Sequence, residues 1–294
     1  MSISASVVKE LRDRTGCGMM ECKKALTDTG GDIEAAIELM RKSGQAKAAK
    51  KAGRIAAEGI ILIKQNAAGT QAAMVEINCE TDFVAKDANF QAFANAVTER
   101  VLSCDVQTVE ELLLQPLGET DPQTVNEARE ALIAKIGENI NVRRFIRYHT
   151  EQGHLASYRH GNRIGVMVEL LGGHEVLGKD IAMHIAASNP ICVAADDVPA
   201  DLLAKEREIY RAQVLDSGKP ADIVEKIVDG RMRKYLGEVT LLGQPFVKDP
   251  EMTVGKLLDQ AKAEAVRFQR FEVGEGIEKK EVDFAEEVMA QVRG

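Results

Sequence analysis

The side chains best able to do chemistry in this chain of 294 residues are five cysteines and five histidines, and their spacing limits what they can do. Cys17 and Cys22 stand close together across Gly18, and His149, His154 and His160 cluster in sequence, so tetrahedral metal ligation has to be weighed. No second closely spaced pair completes such a set, and no metal is expected. A Cys–His nucleophilic pair would have to use Cys79, which alternates out of a strand and has no Gly-rich elbow around it; a buried thiol is expected instead. The carboxylates lie on helical faces beside Lys and Arg, the pattern of a solvated surface rather than of a general acid and base. An odd number of irregularly spaced cysteines is no disulfide framework and suits reduced thiols in the cytoplasm.

Nucleotide chemistry fares no better. Each Gly-Lys pair (Gly178-Lys179, Gly218-Lys219, Gly255-Lys256) is followed by Asp, Pro or Leu, never by the Ser or Thr that a phosphate-cradling loop requires. Gly274-Glu275-Gly276 lacks the third glycine of a dinucleotide fingerprint and reads as a turn. The chain is therefore expected to hold no cofactor and to be no enzyme. A net charge of −8 argues against a phosphate backbone as the main partner. The rival RNA-binding reading rests on Lys47, Lys50, Lys51 and Arg54, a basic stretch without an aromatic beside it, and a protein partner fits better. No run approaches the roughly 20 apolar residues that cross a bilayer, and the N-terminus has no apolar stretch after basic residues, so neither membrane nor export is expected. Aromatics make up only 4%, so an exposed Phe would stand out.

Residues 3–43 read as three short helices. Ile3, Val7 and Leu11 share a face of the first; Thr15-Gly16-Cys17-Gly18 breaks the chain; Met19 to Leu26 forms the second; and Gly30-Gly31-Asp32 precedes a third with Ile33, Ala36, Ile37 and Met40 in an amphipathic stripe. SGQAKAAKKAGR then lacks an apolar stripe and reads as a linker. Gly59 to Ile63 and Ala73 to Ile77 flank the turn-like Asn66-Ala67-Ala68-Gly69, a hairpin signal, and a helix follows with Phe90, Phe93, Ala94, Val97 and Val101 on one face. The same unit recurs at Leu155 to Tyr158, Gly161-Asn162 and Ile164 to Leu170, before a helix through Ile181, His184 and Ile185. Met-Val-Glu sits in the second strand of both copies, so an internal duplication giving two α+β subdomains is expected. Helical patterns at Leu202–Leu215 and Ile223–Leu236, joined by Asp216-Ser217-Gly218-Lys219-Pro220, must run antiparallel. A helix from Leu257 to Val266 and a strand from Val266 to Val273 follow. A last helix should start at Asp283, with Glu286 as a capping box and Phe284, Val288 and Val292 on one side.

One segment stays unexplained by all this: Asn78-Cys79-Glu80-Thr81-Asp82-Phe83-Val84-Ala85-Lys86-Asp87, where the second strand hands over to the helix. Phe83 falls a heptad before Phe90, yet Lys86 and Asp87 make the intervening turn polar. On spacing alone Phe83 is either a hydrophobic staple at the helix entrance or an aromatic wedge for a partner.

Leu11-Arg12-Asp13-Arg14-Thr15-Gly16-Cys17-Gly18-Met19-Met20-Glu21-Cys22-Lys23-Lys24-Ala25-Leu26 resembles the opening signature of the elongation factor Ts family, and Glu80-Thr81-Asp82-Phe83-Val84-Ala85 its second. Lys135-Ile136-Gly137-Glu138-Asn139-Ile140-Asn141, Ser157-Tyr158-Arg159-His160-Gly161, Gly243-Gln244-Pro245-Phe246 and Arg270-Phe271-Glu272-Val273-Gly274-Glu275-Gly276 follow in family order, so the resemblance covers essentially the whole chain. It implies an α+β protein: a three-helix module similar to ubiquitin-associated (UBA) domains (1–45), a linker (46–57), core subdomains at 58–148 and at 149–195 with 238–274, an inserted coiled-coil hairpin (196–237) and a C-terminal module (275–294). It also implies a guanine nucleotide exchange factor for elongation factor Tu. Residues matching Thr81, Asp82, Phe83 and Val84 would dislodge that GTPase's Mg²⁺. Arg12, Met19 and Met20 would touch one of its helices, Ile136-Gly137 would approach the nucleotide pocket, and His160 would face its third domain.

Overall fold

The computed structural model describes residues 3–118, 122–215 and 220–278. Among them the chain is mixed α and β, with eleven α-helices and eight strands in small sheets. It opens with α1 (Ala5–Thr15), α2 (Met19–Asp28) and α3 (Ile33–Lys51). There follow β1 (Glu58–Gln65), β2 (Gln71–Cys79), the one-turn α4 (Asp82–Ala85), α5 (Ala88–Ser103), α6 (Val109–Leu113), α7 (Val125–Ile136) and β3 (Asn141–His149). Next come β4 (His154–His160), β5 (Ile164–Gly172), α8 (Glu175–Ser188), α9 (Ala200–Leu215) and α10 (Ala221–Val239). The series closes with β6 (Pro245–Phe246), β7 (Asp249–Thr253), α11 (Val254–Gln260) and β8 (Ala263–Glu272). The sheets have the orders β1-β2-β3, β4-β5-β8 and β6-β7. The described residues divide into two compact units, one within 3–60, 76–144 and 273–278, the other within 61–75 and 145–272. None of the described helices is long and apolar enough to cross a membrane.

In the first unit, α1 stops at Gly16, whose left-handed φ of 64° returns its N–H to Arg12 O, a conformation that a side chain would strain. Asp32 caps α3 by accepting from Ala35 N at 3.0 Å. Val8, Leu11, Cys22, Ala25, Leu26 and Ala36 are buried together, with Ile33, Ile37 and Met40 against them, which is the stripe pattern read from the sequence. The linker is where that reading fails: α3 does not end near Ser43 but runs to Lys51, so only 52–57 separate it from β1. The helix continues because its contact face there is made of small residues. Gly44 and Ala48 are buried, and a Cβ on Gly44 would stand 3.5 Å from Ala134 Cβ of α7, so α3 and α7 approach closely without a large apolar residue between them. The Ala and Lys around them are good helix formers. Neither α6, α7 nor β3 was anticipated, although Thr108 with Glu111 and Thr124 with Glu127 form capping boxes at the starts of α6 and α7. Phe90, Phe93, Ala94, Val97 and Val101 are buried as expected, and α5 packs on α7.

In the second unit β4 and β5 pair antiparallel through the turn at Gly161, β8 adds to the other edge of β5, and α8 covers β4 and β5. Val166, Val168 and Leu170 meet Ile181 and Ile185 in the resulting core. The expected helix from Leu257 to Val266 is corrected: α11 starts three residues earlier behind the Thr253 cap and ends at Gln260, and Lys262 turns the chain with φ 50°. Ala263 to Val266 are strand, Ala265 lying opposite Leu170. Lys-Ala-Glu-Ala favours helix locally, but the open edge of β5 offers a ladder, and tertiary pairing overrides a few tenths of a kcal/mol of propensity.

Val214, Val224, Val228 and Met232 join α9 to α10. Arg207 pairs with Asp229 at 2.7 Å and Arg211 with Glu225 at 2.8 Å, so partner number falls as sequence rises and the helices run in opposite directions. The turn expected at 216–219 and the last helix expected from Asp283, with Phe284, Glu286, Val288 and Val292, lie outside the described residues. At the base of α10, buried His184 meets Gln244 Oε1 at 2.9 Å through Nε2 and accepts from Val247 N at 3.2 Å through Nδ1. Because Nδ1 accepts, the proton sits on Nε2. Gln244 in turn donates to Glu238 O at 2.7 Å and Ser188 O at 3.2 Å, tying the end of α10 to the end of α8.

Both copies of Met-Val-Glu bury their carboxylate. Glu76 is fully buried and accepts from Arg143 Nη1 at 3.0 Å, Arg144 Nε at 2.6 Å, Asn78 Nδ2 at 3.1 Å and Gly274 N at 2.8 Å. Burial alone would raise its pKa; these donors outweigh burial and hold it below the ordinary value. Glu169 is also buried and accepts from Arg267 Nε at 2.7 Å, the residue opposite it in the β5–β8 register.

Candidate functional site

Between β2 and α5 the chain makes one helical turn, breaks and starts again. Thr81 caps α4 by accepting from Val84 N at 3.4 Å, and Asp87 caps α5 by accepting from Asn89 N at 2.8 Å and Phe90 N at 3.2 Å. Two caps six residues apart leave α4 only four residues long. Its Val84 and Ala85 turn inward and are buried, while Asp82 and Phe83 point outward. Phe83 is 80% exposed, more than any other large hydrophobic residue among those described. It is not packed as a staple. Asp82 pairs with Lys86 at 2.7 Å, and that hydrogen bond draws its carboxyl below the usual range. Both partners are exposed, so the pair adds little to stability.

The start of this turn is strapped to the Ile136-Gly137-Glu138-Asn139 corner. Glu138 Oε2 accepts from Glu80 N at 3.1 Å and Thr81 N at 3.0 Å, and Oε1 accepts from Thr81 Oγ1 at 2.7 Å. In return Glu80 Oε1 accepts from Asn139 N at 2.6 Å. Gly137 ends α7 with φ 90°, where a side chain would be strained, and its carbonyl accepts from Lys51. Asn139 Nδ2 donates to Arg54 O at 2.7 Å, so the corner is held to the end of α3 as well. Ile136 is half-buried.

The α1–α2 corner carries Arg12, Met19 and Met20. All three are exposed, Met20 by 76%, and neither methionine belongs to the buried cluster of the helical module. Lys135, in the last turn of α7, donates to Asn89 Oδ1 at 2.8 Å, and its Nζ would lie 3.2 Å from a Cβ on Gly16. One lysine thus bridges the α1–α2 corner and the start of α5, placing the two signature segments in one neighbourhood. His160 belongs to the other unit, exposed at the end of β4 with Nδ1 3.3 Å from Tyr158 Oη.

Sequence reasoning gave no role to Glu80, Lys135, Glu138 or Asn139. The available signal was the acidic residue inside each of two motif segments, Glu80 and Glu138, the latter beyond the Gly137 break. Cys79 is buried with its thiol on Thr81 O at 3.1 Å, and burial pushes it up to about 12, out of the range of a nucleophile. Among the described residues no three His, Cys, Asp or Glu side chains are grouped to hold a metal ion.

An outward ring on a strapped turn, with further exposed side chains beside it, makes this an α+β protein whose candidate site is a display surface rather than a reaction pocket. The family model described as elongation factor TS matches residues 80–275. The chain is 64% identical over 295 residues to elongation factor Ts of Thioalkalivibrio sulfidiphilus, with all of both chains covered. It is 63% identical over 293 residues to that of Methylococcus capsulatus and 57% over 293 to that of Halorhodospira halophila, covering 100% of this chain and 99% of each relative. The chain belongs to the elongation factor Ts family.

Proposed function

We propose that this chain is a cytoplasmic guanine nucleotide exchange factor for elongation factor Tu in translation elongation, performing no covalent chemistry and binding neither nucleic acid nor membrane. The observation that carries the reading is the outward Phe83 beside Asp82 on a turn tied to Gly137-Glu138, within a chain alike over its full length to its relatives.

A GTPase holds GDP through backbone N–H groups of its phosphate loop and through Mg²⁺, the largest local cation. Thr81, Asp82 and Phe83 act on that ion's surroundings, Phe83 as the wedge and Asp82 beside it, while the inward Val84 holds the turn from behind. Arg12, Met19 and Met20 supply a second contact, Ile136-Gly137 approaches the nucleotide pocket, and His160 meets another part of the partner. The N-terminal three helices act as a UBA-like module, α9 and α10 as a coiled-coil hairpin, and residues 275–294 as a C-terminal module. Reciprocity makes exchange a cycle: a factor that prefers nucleotide-free Tu is itself displaced when nucleotide binds.

The test is fluorescent GDP on elongation factor Tu, chased with excess unlabelled nucleotide with and without this protein. Acceleration of release by orders of magnitude, with no GDP bound by the chain alone in equilibrium dialysis, is the expected result. Unchanged release, or nucleotide binding by the isolated chain, overturns the reading.

A further inference from the structure

We propose that Glu138 is a positioning residue for exchange, holding the Phe83 turn in its delivering conformation; this rests on Phe83 being the exchange element. A four-residue helix cannot hold itself, because the first turn fixes several dihedrals for one hydrogen bond. Nor does the ring anchor it, being 80% exposed. The burial of Val84 and Ala85 secures only the inner side.

What fixes the outer geometry is the Glu138 carboxylate, which uses both oxygens on the residues leading into α4. By accepting the Thr81 hydroxyl proton at 2.7 Å, Oε1 turns a lone pair of Thr81 Oγ1 toward Val84 N, so the cap that starts α4 is oriented by Glu138. Through Oε2 it gathers the N–H groups of Glu80 and Thr81, bonds that an ionised acceptor strengthens. The support is itself braced: Glu80 takes Asn139 N, Lys51 donates to Gly137 O, and Asn139 Nδ2 donates to Arg54 O. Rigid support behind a displayed group matters because a misplacement of about 1 Å can cost on the order of a hundredfold in rate.

The experiment measures stopped-flow GDP release from elongation factor Tu against concentration of the full-length factor, for Glu138→Ala and Glu138→Gln, each with and without Phe83→Ala. Glu138→Ala should lower the maximal release rate roughly tenfold or more while moving the half-saturating concentration less than about twofold, since the other contacts remain. Glu138→Gln should recover part of the rate, because its amide oxygen accepts the two N–H groups and its NH₂ donates to Thr81 Oγ1. On the Phe83→Ala background, Glu138→Ala should add less than about twofold, as residues acting on one event do not add. Excess EDTA should shrink both deficits. If Glu138→Ala does not fold by circular dichroism, Thr81→Val removes the bond to Oε1 together with the α4 cap it orients, leaving the two N–H bonds to Oε2, and should lower the maximal rate, with Thr81→Ser restoring it. Full additivity with Phe83→Ala, or parental rates from folded Glu138→Ala, overturns the proposal alone. A parental rate for Phe83→Ala removes the reading beneath it, and the proposal with it.

Discussion

Phe83→Ala separates display from packing. With 80% of the residue exposed, truncation leaves almost no cavity, and surface changes of this kind usually cost within about 0.5 kcal/mol. For a chain of this size that is about 1–2 °C in Tm. The same ring has four-fifths of its surface still to bury on a partner. Full burial of a Phe side chain is worth roughly 2–3 kcal/mol, so about 2 kcal/mol remains available, a factor of roughly thirty in affinity or rate. Stopped-flow release of fluorescent GDP should therefore slow by up to about that order while melting barely moves. Asp82→Ala should slow release too, and the double variant should fall short of the product of the two effects. EDTA strips Mg²⁺ by another route, so it should narrow the gap between variant and parent. If Phe83→Ala melts several degrees lower and keeps parental exchange per folded molecule, the ring is structural and the reasoning fails.

Gly44→Ala should stabilise the protein by about 0.5–1 kcal/mol in urea unfolding, because an interior helical glycine gains propensity and its new Cβ meets Ala134 at an ordinary 3.5 Å; destabilisation would mean that α3 and α7 tolerate no added methyl. Glu76→Ala should cost roughly 3–5 kcal/mol, since it strands Arg143 and Arg144 beside a buried gap, and a loss under about 1 kcal/mol in the same assay would refute that accounting. Desolvation lowers the pKa of buried His184 below its ordinary 6.5 despite the Gln244 bond, so the neutral ring's contribution is complete above 6.5 and is lost as pH falls from there toward the folded-state value. Urea unfolding between about pH 7.5 and 5.5 should show that loss in the parent and a shallower one in His184→Gln; equal slopes would assign the dependence elsewhere.

The elements legible in the sequence were those with a large apolar period. The stripes of α1 to α3, the Phe90–Val101 face of α5 and the apolar runs of the hairpin at β4 and β5 all went to burial. What stayed hidden was written in small or polar residues. The end of α3 packs through Gly44 and Ala48, which carry no hydropathy signal, and β8 begins in Ala263-Glu264-Ala265, whose local preference is overridden by pairing with β5. At the candidate site the outward ring could be suspected, because Lys86 and Asp87 made the following turn polar. Its strap could not, since Glu80 and Glu138 are 58 positions apart and meet only after α5, α6 and α7 have formed.

The two buried carboxylates also bear on how a chain carrying Met-Val-Glu in two hairpins keeps those hairpins apart. A hairpin bearing Met-Val-Glu in its second strand has two potential homes during folding, and mistaken exchange of strands between copies is a hazard of repeated sequences. Each carboxylate is comfortable in one place only, because burying it without its guanidinium partners is prohibitive. The partners differ in number and origin: Glu76 calls for adjacent Arg143 and Arg144 together with the Gly274 N–H, whereas Glu169 calls for a single Arg267 from a strand nearly a hundred residues downstream. A swapped hairpin would carry its carboxylate to one guanidinium where it had two, or to two where it had one, because Arg143 and Arg144 stay on β3 and Arg267 on β8. Charge number thus works as an address label, telling apart two strands that the apolar pattern alone would treat as interchangeable.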